Sequence, residues 1–333
     1  MNIDFHGHFI PLRLVNAAAT GKEFRGIRMA RTETGALIGE AEGESFDLPE
    51  WTMKAETPET RIAELDAMRL DAQVLSIAPR LQRYSAEPAA AVTIAREMND
   101  DLVEWIAAAP KRFRGLAHLP LQDPAASVSE VERLAGKKGI LGFGVGTNVN
   151  GKAWDSPEFF PVLVAAQAND MMVFFHPANR PKDDRMRRYH LKNLVGNPLE
   201  TTLAIAALIF SGTLDRLPTV KMSFAHAGGF AVLGSGRFDY GHQVREDAKE
   251  GSMNLPSDGL RRLYYDSITF SERALRHVVD VVGISQVLLG SDHPADMGTT
   301  DPVGFIEGCT ALDEQEKAAI LGGNLEALIG RID

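Results

Sequence analysis

The sequence predicts an α/β fold, a closed (β/α)8 TIM barrel. Short runs of β-branched or apolar residues alternate eight times with longer amphipathic stretches, a pattern typical of parallel strands joined by crossover helices. The length of 333 residues suits one large barrel. We therefore expect a single domain over residues 1–333, with no linker or internal repeat.

The eight predicted strands are short and apolar: Ile3–His8, Ala72–Ala78, Phe113–Leu119, Ile140–Thr147, Met171–His176, Val220–His226, Leu263–Ile268 and Gln286–Ser291. Several of the intervening helices begin with a proline that follows a capping residue such as Thr57 or Ser156. The predicted helices are Pro58–Arg69, Pro88–Ala109, Pro124–Ala135, Pro157–Asn169, Pro198–Phe210, Phe230–Tyr240, Ser271–Val282 and Pro302–Ile329.

The segment 11–57 interrupts this alternation between the first strand and the first full helix. It is rich in Gly, Glu, Thr and Arg. A loop of this length in a compact domain usually has a functional role. We expect residues 11–57 to form a small insertion that caps the C-terminal mouth of the barrel.

Composition excludes several classes of protein. The chain is 44% hydrophobic and 24% charged, with a net charge of −10, so a nucleic-acid partner is not expected. No apolar run is long enough to span a membrane. The single cysteine and the lack of a leader before the first strand favour a cytoplasmic protein. Since the overall charge repels anions, a site for a carboxylate would need arginine close by.

Ionisable residues lie at the ends of four predicted strands. His6 and His8 share one face of the first strand because side chains alternate along a strand. His176, His226 and Asp292 follow strands five, six and eight. A single such histidine is commonly a core or loop residue, but five residues at matching ends favour a divalent metal site.

This pattern resembles the amidohydrolase superfamily. It is most similar to the decarboxylase branch, which includes aminocarboxymuconate-semialdehyde decarboxylase and the resorcylate and carboxyvanillate decarboxylases. The motifs that carry the resemblance extend along nearly the whole chain: Ile3–Pro11, Arg61–Met68, Leu119–Pro124, His176–Pro177, Arg185–Tyr189, Pro198–Thr201, Ser211–Arg216, His226–Gly229 and Gly290–Pro294. Strand four, within 139–148, lacks the lysine that dinuclear members carry there, so the resemblance implies a mononuclear centre.

The resemblance implies a role for each residue of the site. His6, His8, His176 and Asp292 would bind one divalent metal ion, most simply Zn2+, although Mn2+, Fe2+ or Co2+ accept the same ligands. His226 matches the histidine that acts as acid and base beside the open coordination position. Asp292 would both bind the metal and relay a proton. The alternative for His226 is a fifth ligand, or a residue that only orients Asp292.

The implied substrate-binding residues are less specific. Arg237 matches an arginine that reaches the neighbouring subunit's site and grips a carboxylate, which implies a homodimer; a surface salt bridge is the alternative. Tyr189 and His190 align with a region that lines the family's substrate pocket, and ordinary helix packing is the alternative. His118 is expected to be structural, although it could touch the pocket. No role is assigned to His277.

One departure concerns the insertion. Where the aminocarboxymuconate decarboxylases have an arginine that binds the substrate carboxylate, this chain has Asp47, after Phe46. An acid at that position would repel a second carboxylate. We therefore expect a different substrate, one with a single carboxylate or with a donor group that faces Asp47.

Three functions are compatible with these residues. The first is a metal-dependent, non-oxidative decarboxylase of an aromatic or conjugated carboxylic acid, a small-molecule substrate, with no redox or organic cofactor. The second is a metal-dependent hydrolase or hydratase that acts on an amide, a lactone, a carbon–carbon bond or a conjugated keto acid through metal-activated hydroxide. The third is a metal-binding scaffold without turnover.

Overall fold

The computed structural model describes residues 1–33, 37–41, 44–47, 57–178 and 183–332. It confirms the predicted barrel: eight parallel strands lie in one sheet in chain order. Hydrogen bonds from Phe5 N to Leu289 O (2.8 Å) and from Asp292 N to His6 O (2.8 Å) join the two ends of the sheet. The barrel strands are β1 (Ile3–Phe9), β5 (Ala72–Ile77), β6 (Phe113–Ala117), β7 (Ile140–Gly146), β8 (Met172–His176), β9 (Lys221–Phe224), β10 (Tyr264–Asp266) and β11 (Val287–Leu288).

The predicted insertion forms a helix and a small antiparallel sheet between β1 and the first long helix. Strand β3 (Leu37–Ala41) lies between β2 (Arg28–Arg31) and β4 (Glu44–Asp47). Ile27 and Met29 are buried in the main core, so the start of this sheet packs on the barrel. Residues 34–36, 42–43 and 48–56 of the insertion lie outside the described part of the chain.

Helices surround the barrel, and most begin where the sequence predicts. Thr57 caps the second helix by accepting a hydrogen bond from Thr60 N, and Ser271 caps the tenth by accepting one from Ala274 N. The helices are α1 (Leu12–Ala19), α2 (Pro58–Ala67), α3 (Pro88–Ala108), α4 (Pro124–Leu134), α5 (Phe160–Ala168), α6 (Asn197–Phe210), α7 (Thr213–Arg216), α8 (Ser235–Val244), α9 (Pro256–Leu260), α10 (Glu272–Val282), α11 (Pro302–Gly308), α12 (Glu314–Ala318) and α13 (Asn324–Ile329).

Two predicted helices are wrong in extent. The helix predicted over Pro302–Ile329 is three helices, because Asp313 accepts hydrogen bonds from Gln315 N and Glu316 N and so starts a new helix. The helix predicted over Phe230–Tyr240 begins only at Ser235 and continues to Val244. Residues 229–234 form turns instead of the predicted first helical turn.

Apolar side chains fill both sides of the sheet. Ile3, Phe5, Val74, Phe174 and Leu288 belong to a buried cluster formed mainly by strand residues. A second and larger cluster lies between the strands and the helices. The polar residues described next therefore lie at one end of an otherwise apolar barrel.

One segment, Lys192–Phe210, is long and apolar enough by length and composition to cross a membrane. It comprises a π-helical turn and α6. In the structure Ala204, Ile205 and Leu208 are buried in the main core. A core helix of a globular domain passes the same test, and the packing of α6 is that of a barrel helix.

Candidate metal centre

The five strand-end residues meet at one end of the barrel. His6 and His8 lie in β1, and His176 is the last residue of β8. His226 lies in a short turn two residues beyond β9, and Asp292 lies four residues beyond β11. His226 and Asp292 both have left-handed backbone angles, with φ 56° and 58°. Such conformations in non-glycine residues are uncommon and cluster at functional sites.

The carboxylate of Asp292 lies at the centre of this group. Its Oδ1 is 2.8 Å from Nε2 of His8, 3.3 Å from Nε2 of His6 and 3.9 Å from Nε2 of His176. Its Oδ2 is 3.6 Å from Nε2 of His226. All four imidazoles therefore turn the same ring nitrogen towards one carboxylate.

The donor set fits a divalent metal ion. Nε2 of His6 and Nε2 of His176 are buried and have no hydrogen-bond partner among the described residues. His6, His176, His226 and Asp292 each offer a ligand atom, and these atoms lie within 4.8 Å of one another. Imidazole nitrogen with carboxylate oxygen is a donor set for zinc and other first-row divalent ions.

The orientation of three histidines is fixed by their other ring nitrogen. In metal centres this second contact sets the tautomer and aims the free nitrogen at the metal. The partners of Nδ1 are Asp266 Oδ2 for His6 (2.7 Å), Ser76 Oγ for His8 (3.1 Å) and the Pro177 carbonyl oxygen for His176 (3.2 Å).

His226 differs from these three residues. Its Nδ1 is buried and has no hydrogen-bond partner among the described residues, so no neighbour fixes its tautomer. That property suits a residue that exchanges protons better than one that holds a metal. The distances alone include His226 and leave His8 out of the four-atom set, whereas the Nδ1 contacts group His8 with His6 and His176. The hydrogen bond between His8 Nε2 and Asp292 Oδ1 (2.8 Å) brings both side chains to the same point, so the Nδ1 contacts place His8 with the predicted ligands.

The electrostatics also favour a cation here. Burial lowers the pKa of His8 and lowers that of His176 far below its ordinary value. Burial alone would also lower the pKa of His6, but the Asp292 and Asp266 carboxylates raise it to about 10. Burial opposes ionisation of Asp292, yet the surrounding imidazoles hold the pKa of its carboxyl well below the usual range. His8 and His176 are therefore neutral beside the Asp292 carboxylate, as metal binding requires, whereas His6 would have to release a proton when a metal ion binds.

The structure adds a residue that the sequence analysis did not single out. Asp266, the last residue of β10, contacts His6 and also accepts hydrogen bonds from the backbone N–H groups of His226 (2.8 Å) and Ala227 (2.9 Å). One carboxylate therefore orients a predicted ligand and the turn that carries the predicted proton carrier. The sequence signal that could have identified it is an acidic residue within the predicted strand Leu263–Ile268.

A buried polar network lies beneath the centre. Asp4 accepts hydrogen bonds from His6 N (2.9 Å), Gln73 Nε2 (2.7 Å) and Ser291 Oγ (2.5 Å). Arg61 donates to Gln73 Oε1 (2.8 Å) and to the carbonyl oxygen of His8 (3.0 Å). These bonds hold β1 to β5 and to the loop that carries Asp292.

A cavity of about 490 Å3 opens onto the centre at His226 and Asp292. Its other walls come from the start of α6, the turns after β9, the loop after β10 and α10. Apolar side chains predominate, including Phe230, Ile268 and Met297. Apolar walls with few polar groups are typical of small-molecule sites.

Several predicted substrate residues are not brought to this cavity by the structure. Arg237 is exposed on α8, and Tyr189 and His190 are exposed in a turn before α6; none of the three lines the cavity. Asp47 ends β4, and its side chain lies outside the described part. The roles of all four residues stay predictions. His277, to which no role was assigned, does line the cavity.

His118 has a structural environment. It is buried, its ring lies 5.7 Å from that of Tyr84, and Asn99 hydrogen-bonds its backbone N–H and carbonyl groups. Among the described residues it is not part of the cavity wall.

Known proteins that resemble this chain are amidohydrolases, and several are decarboxylases by name. A family model described as Amidohydrolase matches residues 3–331. The chain is 38% identical to a 2-amino-3-carboxymuconate-6-semialdehyde decarboxylase from Dictyostelium discoideum over 275 residues, which are 82% of this chain and 76% of that protein.

Solved structures share the whole fold. A 5-carboxyvanillate decarboxylase from Sphingomonas paucimobilis is 26% identical, with a TM-score of 0.82 and coverage of 98% of both chains. A dihydroxybenzoic acid decarboxylase from Polaromonas sp. JS666, solved with bound manganese, has a TM-score of 0.79 over 99% of this chain and 97% of that one. At 22% identity, the latter likeness supports the fold alone.

Proposed function

The chain belongs to the amidohydrolase family and to its decarboxylase branch, and from this premise we propose that it is a metal-dependent, non-oxidative decarboxylase of an aromatic or conjugated carboxylic acid. The observation that carries the proposal is the convergence of four histidines on Asp292 at the end of an apolar cavity. Relatives with this fold are decarboxylases of such acids by name.

In this proposal, His6, His8, His176 and Asp292 hold one divalent ion. A divalent ion at this position supplies a Lewis acid that polarises the oxygens of a bound carboxylate. Asp266, Ser76 and Pro177 fix the orientation of the three imidazoles, and the imidazoles would hold the ion in place. The apolar wall formed by residues such as Phe230 and Ile268 excludes water from the carbon that reacts.

Decarboxylation requires one proton at carbon. The bond between the carboxyl carbon and its neighbour breaks, the electron pair stays on the neighbouring carbon, and that carbon takes up a proton as CO2 leaves. His226 and Asp292 both line the cavity, with Nε2 of His226 3.6 Å from Asp292 Oδ2. These two residues are positioned to hold and transfer that proton.

We propose zinc as the ion, because imidazole and carboxylate are common zinc ligands. The same donors accept manganese, which is bound in the dihydroxybenzoic acid decarboxylase of the same fold. Metal analysis of protein expressed without metal supplementation, followed by reconstitution with each ion, tests the choice. Zinc in the isolated protein supports the proposal, and activity with manganese alone contradicts it.

We also propose that the active form is a homodimer. Arg237, Tyr240 and Val244 are exposed at helical spacing along α8, and Leu233 is exposed in the turn before that helix. An exposed apolar stripe that surrounds an arginine is suited to contact with a second copy of the chain. Mixing Arg237→Ala with Asp292→Asn subunits tests whether Arg237 acts across the interface: recovered activity in the mixture supports it, and none contradicts it.

Release of CO2 is the direct test of the reaction. The metal-loaded protein is assayed against hydroxybenzoates and muconate-like acids, in parallel with His226→Gln and Asp292→Asn. The proposal expects CO2 from wild type and at least a hundredfold lower rates from both variants. Incorporation of isotope-labelled water into a product without CO2 would instead identify the hydrolase or hydratase, which the unusual Asp47 favours.

A further inference from the structure

Two basic side chains on α10 line the cavity that opens onto the metal centre. Arg273 and His277 are four residues apart on this helix, so they lie on the same face, about 6 Å apart along its axis. Ala274 and Val278 lie beside them in the cavity wall. The opposite side of α10 packs into the core through Leu275, Val279 and Val282.

Arg273 has no partner of its own within the described ranges of the chain. No carboxylate among those residues forms an ion pair or hydrogen bond with it. Its neighbours on α10 are engaged: Arg276 pairs with Asp280 and Glu316, and Glu272 accepts hydrogen bonds from Thr310. An arginine without an internal partner in a cavity wall is available to a ligand.

The described wall of the cavity does not share the acidic excess of the whole chain. The chain carries a net charge of −10, yet the ionisable residues of the cavity wall are Arg273, His277, His226 and Asp292. Within the described ranges, Asp292 is the only carboxylate in the cavity wall, and it belongs to the candidate metal centre. With a metal ion bound as proposed, a small acid would find a cation at the metal centre and the guanidinium group of Arg273 on α10, with apolar side chains elsewhere in the wall.

We propose that Arg273, assisted by His277, binds a second anionic group of the substrate. The substrate class is then a diacid: one carboxylate at the metal centre is lost as CO2, and another carboxylate is held at α10 by the guanidinium group. Arginine suits this task because it pairs with a carboxylate through two parallel hydrogen bonds. This inference rests on the proposed decarboxylase function. The proposed site for the second carboxylate is on α10 and not on the insertion, so the substrate can still present a donor group to Asp47.

The test compares matched acids with one and two carboxylates. CO2 release from hydroxyisophthalate and from salicylate is measured for wild type, Arg273→Gln, Arg273→Lys and the control Arg261→Gln, an exposed arginine outside the cavity. We expect Arg273→Gln to lower the ratio of kcat/KM for the diacid over the monoacid roughly tenfold or more. Arg273→Lys should recover part of the ratio, and Arg261→Gln should leave it unchanged. An unchanged ratio in Arg273→Gln, or an equal loss for both acids, overturns the inference.

A second readout does not depend on turnover. Binding of isophthalate and of benzoate to the metal-loaded protein is measured by calorimetry for the same variants. If no acid releases CO2, the proposed function fails, and this binding preference still decides the inference. A preference for isophthalate that is lost in Arg273→Gln supports the diacid site, and equal preference in wild type and variant overturns it.

Discussion

Asp266 Oδ2 lies 2.7 Å from Nδ1 of His6, and both side chains are fully buried. The same carboxylate accepts hydrogen bonds from the backbone N–H groups of His226 and Ala227. Strand β10 contributes no predicted metal ligand, but its Asp266 sets the position of His6 on β1 and of the turn after β9. The candidate metal centre and the predicted proton carrier, His226, share this support.

Replacing Asp266 should weaken metal binding without removing a ligand. We expect Asp266→Asn to lower metal affinity about 10- to 100-fold, because His6 loses the carboxylate that fixes its tautomer. Competition with a chelator measures the affinity. Asp280→Asn, an exposed residue on α10, is the matched control and should bind like wild type. Equal affinity in Asp266→Asn and wild type would show that the contact does not orient the ligand.

His8 and His226 should respond differently to substitution. His8→Gln should lose bound metal, whereas His226→Gln should keep it and lose turnover, because only His8 shares the fixed Nδ1 contact of His6 and His176. Metal content and CO2 release are measured on the same preparations. Loss of metal from His226→Gln with retention in His8→Gln would reverse the two assignments.

The turn that carries His226 depends on glycine. Gly229 has φ 64°, and a Cβ there would lie 2.2 Å from the Pro198 carbonyl oxygen. Gly229→Ala should lower the free energy of unfolding by about 1–3 kcal/mol and reduce activity by displacing His226. Gly236→Ala in α8 is the control: nothing lies within 4 Å of its added Cβ, and helix propensity favours alanine. Denaturant unfolding of the two variants measures the difference. Equal stability would argue against the backbone constraint.

His118 should make stability fall in mild acid. Burial lowers its pKa from 6.5 to about 4, so below pH 6.5 the unfolded chain binds more protons than the folded one. The contribution of neutral His118 to the free energy of unfolding is fully present above pH 6.5, and it is lost progressively as the pH falls towards 4. Between pH 7 and pH 5 the loss should be about 2 kcal/mol smaller in His118→Gln than in wild type. Denaturant unfolding at both values measures it, and identical losses would contradict the assignment.

The sequence predicted the barrel and its five central residues because each follows an apolar run at a strand end. Asp266 was missed because the predicted strand, Leu263–Ile268, placed it in the middle, whereas β10 ends at Asp266 itself. An aspartate within an apolar strand signals a buried polar contact, but its partner lies 260 residues away.

The cavity wall was harder to predict. The helix that became α10 was predicted within one residue, and its apolar stripe correctly marks the face towards the core. Arg273 and His277 flank that stripe, and sequence periodicity does not tell whether a flanking residue meets solvent or a neighbouring cavity. The homodimer, the cytoplasmic location and the substrate role of Arg237 stay predictions.

The most direct test of the central claim is the metal content of freshly purified protein, with His6→Ala beside wild type. We predict one divalent ion per chain in wild type and loss of that ion in His6→Ala, with both proteins folded by circular dichroism. Wild-type protein that binds no divalent ion, or a His6→Ala variant that retains a full equivalent, would contradict the metal centre at His6, His8, His176 and Asp292.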